Sequence, residues 1–348
     1  MASTPFLAGA FEVTTIEMHT GGEPLRIVTS GYPKLAGRRL LDKRRDALAH
    51  HDAFRRLLMH EPRGHADMYG AVLVEPDDPA ADLAVLFLHG EGYSTMCGHA
   101  IMALGRWAVD SGLVAAQEPE TEVVIQAPCG LVRALVSVSS GEAGRKSGAV
   151  RFRSVPSFVF AREVMVDTAE WGPVLLDVAY GGAYYAILAA DSIGLDVHAT
   201  PARQLADAGA AITRAAAAQV KLSHPDDDDL AFLYGTIFTD GRDADADDDA
   251  PTRNVCVFAG RQVDRSPTGS GVAARLALQW TRGEIGLDRP RRFESIVGSR
   301  FTGTAVAETR AGPYRAIVAE VSGEAHYHGE ARFTLEAGDP LGNGFLLD

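Results

Sequence analysis

The sequence is short of cysteine, of positive charge and of long apolar runs, and each shortage removes a class of protein. Three cysteines (Cys97, Cys129 and Cys256) in 348 residues cannot form a disulfide framework, and the odd count fits a reducing compartment. Lys and Arg number 33 against 46 Asp and Glu, a formal net charge of −13. An acidic surface of that size speaks against a nucleic-acid backbone or an anionic membrane as partner. No stretch approaches ~18 uninterrupted apolar residues, so no transmembrane helix is expected. No Lys or Arg precedes Arg26, so the beginning lacks the charged region of a signal peptide. Also missing are the Walker lysine pattern and a Gly-x-Gly-x-x-Gly after a strand, which disfavours phosphate and dinucleotide ligands. A cytoplasmic protein acting on a small molecule is expected.

What is present fits a folded protein of about two domains at roughly 100–200 residues each. Hydrophobic residues make up 46% and charged residues 23%, an ordinary globular balance. Alternating apolar runs predict strands at 11–16, 71–75, 83–88, 122–125, 131–137, 174–178 and 234–239. Helical patterns occupy 41–58, 98–111, 202–220 and 269–282, and the mixture indicates an α/β or α+β protein.

The chain also repeats itself once. His19-Thr20-Gly21-Gly22 near the start matches Ala179-Tyr180-Gly181-Gly182. Tyr69-Gly70 matches Tyr234-Gly235, and Met96-Cys97-Gly98-His99 matches Pro267-Thr268-Gly269-Ser270. Cys97 and Gly112 are 15 residues apart, as are Thr268 and Gly283, and Cys97–Ile125 and Thr268–Ile296 both span 28. Three matches in one order with equal helix lengths indicate a duplicated unit and a cleft between the copies. The helices that begin at Gly98 and Gly269 are apolar over most of their circumference, which marks them as central, with strands wrapped around each.

Helix N-termini carry unpaired backbone N–H groups and a positive dipole end, so two facing termini can hold a carboxylate from both sides. Cys97, at such a terminus, is expected to ionise more readily than a free thiol and to remove an α-proton from the bound acid. The alternative is a buried packing cysteine, the role given to Cys129 and Cys256. Thr268 stands at the equivalent position as a neutral donor. One base and one alcohol fit a single proton abstraction followed by loss of a leaving group, a β-elimination. His99, two residues on, is expected to point away from Cys97, which disfavours a Cys–His hydrolytic pair. It is expected to touch ligand beside the anion site. Asp264 enters the same turn as Thr268 and either pairs with a cationic amine or is a solvated loop acid.

Other features read as structural. His326 and His328 share a strand face without evident partners, so no metal is expected. Asp243–Asp249 fails as a calcium loop because Asp248 and Asn254 stand where Gly and Glu belong. The run Asp226–Asp229 reads as a solvated loop. The basic amphipathic helix at 41–58 reads as a surface or subunit-contact element.

The chain resembles the proline racemase family along nearly its whole length. The resemblance rests on His19-Thr20-Gly21-Gly22-Glu23-Pro24, Pro62-Arg63-Gly64-His65, Asp67-Met68-Tyr69-Gly70, Met96-Cys97-Gly98-His99, Ala179-Tyr180-Gly181-Gly182 and Asp264-Arg265-Ser266-Pro267-Thr268-Gly269-Ser270-Gly271. It implies an α+β, diaminopimelate epimerase-like fold of two pseudo-symmetric domains, each a central helix wrapped by β-strands. The expected division is 1–172, joined by 338–348, and 173–337. Family racemases and epimerases carry cysteine where Thr268 stands. The Cys/Thr pair implies the dehydrating branch, which converts trans-3-hydroxy-L-proline to 1-pyrroline-2-carboxylate. Proline racemase or hydroxyproline epimerase activity is the alternative. By position, Cys97 would accept the α-proton, with Thr268 on the opposite face, helping the 3-hydroxyl depart. Gly98, His99, Gly269 and Ser270 would hold the carboxylate and ring, Asp264 with His99 would meet the ring nitrogen, and Tyr69 and Phe258 would line the pocket. The resemblance implies no cofactor, an imino acid as ligand, and a homodimer.

Overall fold

The protein, a computed structural model, is described over residues 11–141, 144–243 and 250–347. Residues 244–249, most of the rejected calcium-loop segment, lie outside that description. The first half runs β1 (Phe11–Thr20), β2 (Glu23–Ser30), α1 (Leu40–His50), α2 (Asp52–Met59), β3 (Gly70–Val74), β4 (Leu83–Leu88), β5 (Tyr93–Ser94), α3 (Gly98–Asp110), β6 (Glu120–Ala127), β7 (Gly130–Gly141) and β8 (Gly144–Arg153). Next come β9 (Ser157–Thr168), β10 (Gly172–Tyr180), β11 (Tyr184–Ala189), α4 (Ala202–Gln219), β12 (Leu233–Thr239), β13 (Thr252–Phe258), β14 (Gln262–Val263) and α5 (Gly269–Arg282). The chain ends with β15 (Pro290–Glu294), β16 (Arg300–Ala311), β17 (Tyr314–Gly323) and β18 (Ala325–Leu335).

The strands form one continuous hydrogen-bonded system. From β1 the ladders run antiparallel to β2, parallel to β3, antiparallel to β4, parallel to β6, then antiparallel through β7 and β8. From β10 the same order of ladders links β11, β12, β13, β15, β16 and β17. Parallel neighbours require a crossover, and helices supply it at the same steps: α1 and α2 or α4 at the first, α3 or α5 at the second. The β8–β17 ladder joins the two successions. Two segments pair differently from expectation. Residues 157–168, expected in the first unit, pair with β10, and residues 325–335, expected in the second, return to pair with β1.

Small and aliphatic side chains let strands close around α3 and α5. Ala100, Ile101, Ala103, Leu104 and Ala108 are buried on α3, and Val272, Ala273, Leu276 and Ala277 on α5. The α3 helix packs against β6, β7, β8 and β1, and α5 against β9, β10, β16 and β17. The two helices meet at their first residues. A Cβ on Gly98 would lie 2.5 Å from the Gly269 Cα, and one on Gly269 would lie 2.8 Å from the Gly98 Cα.

The single helix expected at 41–58 is broken at His51 (φ −127°, ψ 12°), which caps both α1 and α2. The break turns Arg55 inward, where it bonds Asp52 at 2.7 Å and the His89 carbonyl at 2.9 Å. These basic residues are therefore partly structural. Arg45 also pairs with Asp229 at 2.6 Å, so one end of the acidic run at 226–229 is docked rather than solvated. His326 and His328 sit beside His19, with ring centroids 5.3 and 6.2 Å away.

The helix contact yields a direct test. Gly98→Ala forces backbone into backbone and is expected to destabilise the protein by about 1–3 kcal/mol. Urea unfolding read by circular dichroism checks the value.

Candidate active site

The helix contact fixes the floor of a small cavity between the two halves of the strand system. The intrahelical ladders begin where Ile101 N–H meets the Cys97 carbonyl (3.0 Å) and Val272 N–H meets the Thr268 carbonyl (2.7 Å). The amides of Gly98, His99, Gly269 and Ser270 precede those bonds and are outside the ladders. All four residues line the cavity, together with Cys97, Thr268, Asp264, Tyr69 and Phe258. Every site residue singled out in the sequence is therefore gathered in one place.

The two N-capping residues reach that place differently. Cys97 is extended (φ −148°, ψ 107°) and Thr268 is left-handed (φ +64°, ψ 88°). A β-branched residue in the left-handed region is strained, at a cost of about 1–3 kcal/mol. Its surroundings hold it there: the Thr268 hydroxyl donates to Asp264 Oδ2 at 2.8 Å and its amide bonds the Ser266 hydroxyl at 3.1 Å. Asp264 Oδ1 accepts the Ser266 N–H at 2.7 Å. Asp264 is thus no solvated loop acid; it is 5% exposed, and burial pushes its carboxyl up to about 6 against the lowering hydrogen bonds from Thr268 and Ser266.

Two expectations for Cys97 are corrected. Its sulfur lies 3.0 Å from His99 Nδ1, although residues two apart on a helix do not face one another. The rule fails because Cys97 has extended, not helical, backbone. The helix terminus also does not make the thiol acidic. Burial pushes Cys97 up strongly, and the charges of Asp264 and Glu23 add to it, against the Ala100 N–H and the Tyr69 hydroxyl, which favour the thiolate. Burial holds His99 neutral, down to about 3, with a ring N–H engaged by the Pro24 carbonyl.

Sequence reasoning missed Tyr185, Tyr234 and Met96, which also line the cavity, and Glu23 beside it. Tyr234 is the repeat partner of Tyr69, so the internal match carried its signal. Tyr185 hydrogen-bonds Ser270 at 2.7 Å and is reached by strand alternation from Gly182. Glu23 is fully buried; one oxygen takes the Arg265 N–H at 2.7 Å, and Oε1 has no hydrogen-bond partner among the described residues. Its carboxyl is pushed well up, first by burial and then by Asp264. Cys256, assigned to packing, is buried against the Thr268 hydroxyl. No group of three or more His, Cys, Asp or Glu able to hold a metal occurs among the described residues. Nor is any helix among them long and apolar enough to cross a membrane.

The arrangement suits a small zwitterion. The site offers two helix termini to an anion, a buried carboxylate to a cation, and a thiol and an alcohol at the two caps. The family described as Proline racemase matches residues 15–346. The chain is 58% identical over 337 residues to a trans-L-3-hydroxyproline dehydratase of Xenopus tropicalis, covering 96% of this chain and 95% of that one. It is 55% identical over 347 residues to the trans-3-hydroxy-L-proline dehydratase of Homo sapiens, covering 99% and 97%. Its structure is similar to a hydroxyproline epimerase from Agrobacterium vitis with bound trans-4-OH-L-proline, with a TM-score of 0.89, 28% identity, and 97% and 95% of the two chains covered.

Asp264 gives the site a stability signature. Between the ordinary carboxylate value and about 6, the folded protein holds a proton that the unfolded chain has released. Stability from this group is full below that window and is lost as pH rises through it. Asp264→Asn is therefore expected to stabilise the fold by about 1–3 kcal/mol at pH 8 and by less at pH 5, measured by urea unfolding at both.

Proposed function

The chain belongs to the proline racemase family, and from that premise we propose that it dehydrates trans-3-hydroxy-L-proline to 1-pyrroline-2-carboxylate. The observation that carries the reading is the asymmetry of the caps: one ionisable sulfur at Cys97 and one alcohol at Thr268. A neutral alcohol, donating its hydrogen bond to Asp264, is not the ionisable second group that two-base inversion of the α-carbon requires. High identity to dehydratases over almost the full chain supports the same branch.

In this reading the carboxylate rests on the amides of Gly98, His99, Gly269 and Ser270, and Asp264 meets the ring ammonium with His99 beside it. Tyr69 and Phe258, whose rings lie 5.9 Å apart, bound the ring. The charges of Asp264 and Glu23 oppose a thiolate. An arriving ammonium offsets them, so the substrate itself helps Cys97 to ionise. The thiolate then takes the α-proton, and the helix termini stabilise the charge that develops on the carboxylate. The Cα–H electron pair becomes the Cα–Cβ double bond, and the 3-hydroxyl leaves as water. The enamine tautomerises to the ring imine. No step calls for a cofactor or a metal.

The two ladder successions are assigned to two pseudo-symmetric domains, each wrapped around its central helix. The pairings of β9 and β18 support edges at 11–153 with 325–347, and at 157–323. Cytoplasmic location is supported by three free cysteines; homodimeric assembly rests on the family resemblance.

Incubation with trans-3-hydroxy-L-proline is expected to yield a ring imine detectable with o-aminobenzaldehyde, and Cys97→Ser to lower its formation at least about 100-fold. Inversion of proline or 4-hydroxyproline at a rate comparable to dehydration would overturn the assignment in favour of an epimerase.

A further inference from the structure

The proposed reaction leaves open which group protonates the departing hydroxyl, and stereochemistry narrows the choice. In the trans isomer the carboxylate and the 3-hydroxyl lie on opposite faces of the ring. The α-hydrogen and the hydroxyl therefore share a face, and the elimination is syn. The base at Cys97 and the acid must approach from the same side. Thr268 caps the opposing helix, and its proton is committed to Asp264 at 2.8 Å. The expectation that Thr268 helps the hydroxyl depart is thus at odds with both the substrate's geometry and the hydrogen bond observed.

On the side of Cys97 stand His99, Tyr69 and Tyr234, and the Tyr234 hydroxyl gives its proton to Tyr69. His99 is neutral, with a ring N–H held by the Pro24 carbonyl and Nδ1 turned to the sulfur. Tyr69 is 1% exposed and lines the cavity, and its hydroxyl lies alongside the Cys97 sulfur and Tyr234. It also lies 2.6 Å from the Ser94 hydroxyl. The Ser94 hydroxyl donates to the phenol oxygen, a contact that favours the phenolate, and the phenolic proton is left for the Cys97 side. The phenol therefore carries its proton in the cavity, next to the base, and burial keeps it protonated.

We propose that Tyr69 is the catalytic acid of the dehydration, passing its phenolic proton to the departing 3-hydroxyl on the face that Cys97 attacks. The step balances without an outside acid. The Cys97 thiolate takes the α-proton; the C–H pair forms the Cα–Cβ bond; the Cβ–O bond breaks as the Tyr69 proton completes a water molecule. The resulting tyrosinate recovers a proton from the adjacent Cys97 thiol. Sulfur and phenol thereby return to their starting states, and the α-proton ends, in net terms, in the water released.

This inference rests on the dehydratase reading, and one pair of substrates separates the two. Fluoride leaves without protonation, so trans-3-fluoro-L-proline tests the base without the acid. Tyr69→Phe, which also removes a hydroxyl that favours the Cys97 thiolate, is expected to lose about 100-fold or more on trans-3-hydroxy-L-proline and at least about tenfold less than that on the fluoro substrate. Retained fluoride release also reports that the variant is folded and that Cys97 still works. Equal losses on both substrates, or no loss on the hydroxy compound, would overturn the role of Tyr69. So would a selective loss on the hydroxy compound in Thr268→Val. If the native protein forms no ring imine from trans-3-hydroxy-L-proline, the dehydratase reading itself fails.

Discussion

Everything in the site depends on two glycine backbones touching. Gly98 and Gly269 bring the first turns of α3 and α5 so close that neither position has room for a methyl group. That approach aims two sets of unpaired amides at one small volume and sets Cys97 and Thr268 against each other as caps. The contact is possible because each helix is sheathed by strands on its other sides and is free only at its end. Fold and chemistry are thus linked through a packing distance rather than through a particular side chain.

The electrostatics of the site follow from the same burial. Asp264 and Glu23 are carboxylates in a closed space, one bonded to Thr268 and Ser266 and the other holding an unpartnered oxygen. Their charges oppose ionisation of Cys97, and desolvation opposes it further. A bare helix terminus does not outweigh those terms. A zwitterionic ligand supplies what is missing, a cation for the carboxylates and an anion for the amides.

Much of this was legible in the chain. Glycine-opened apolar helices, the repeated Gly-Gly and Tyr-Gly pairs and the equal spacings pointed to two like units meeting at Cys97 and Thr268. All nine residues singled out line the cavity. What escaped was set by local backbone or by distance. His99 faces Cys97 because a cap residue departs from helical geometry, which periodicity does not report. Glu23 belongs to a strand end far from Asp264 in sequence. The exchange of β9 and β18 between the ladder successions depends on long-range pairing, and the break at His51 on where Arg55 finds its carbonyl partners.

Thr268 carries one more lesson. Its backbone sits at φ +64°, where a branched side chain is disfavoured and an unbranched one fits more easily. Folding energy alone therefore pushes this position toward replacement, including by the cysteine that would supply a second base. Retention of threonine there runs against the protein's own conformational preference. The uneven pair of caps therefore stands at a conformational cost that Asp264 and Ser266 offset through their hydrogen bonds to Thr268.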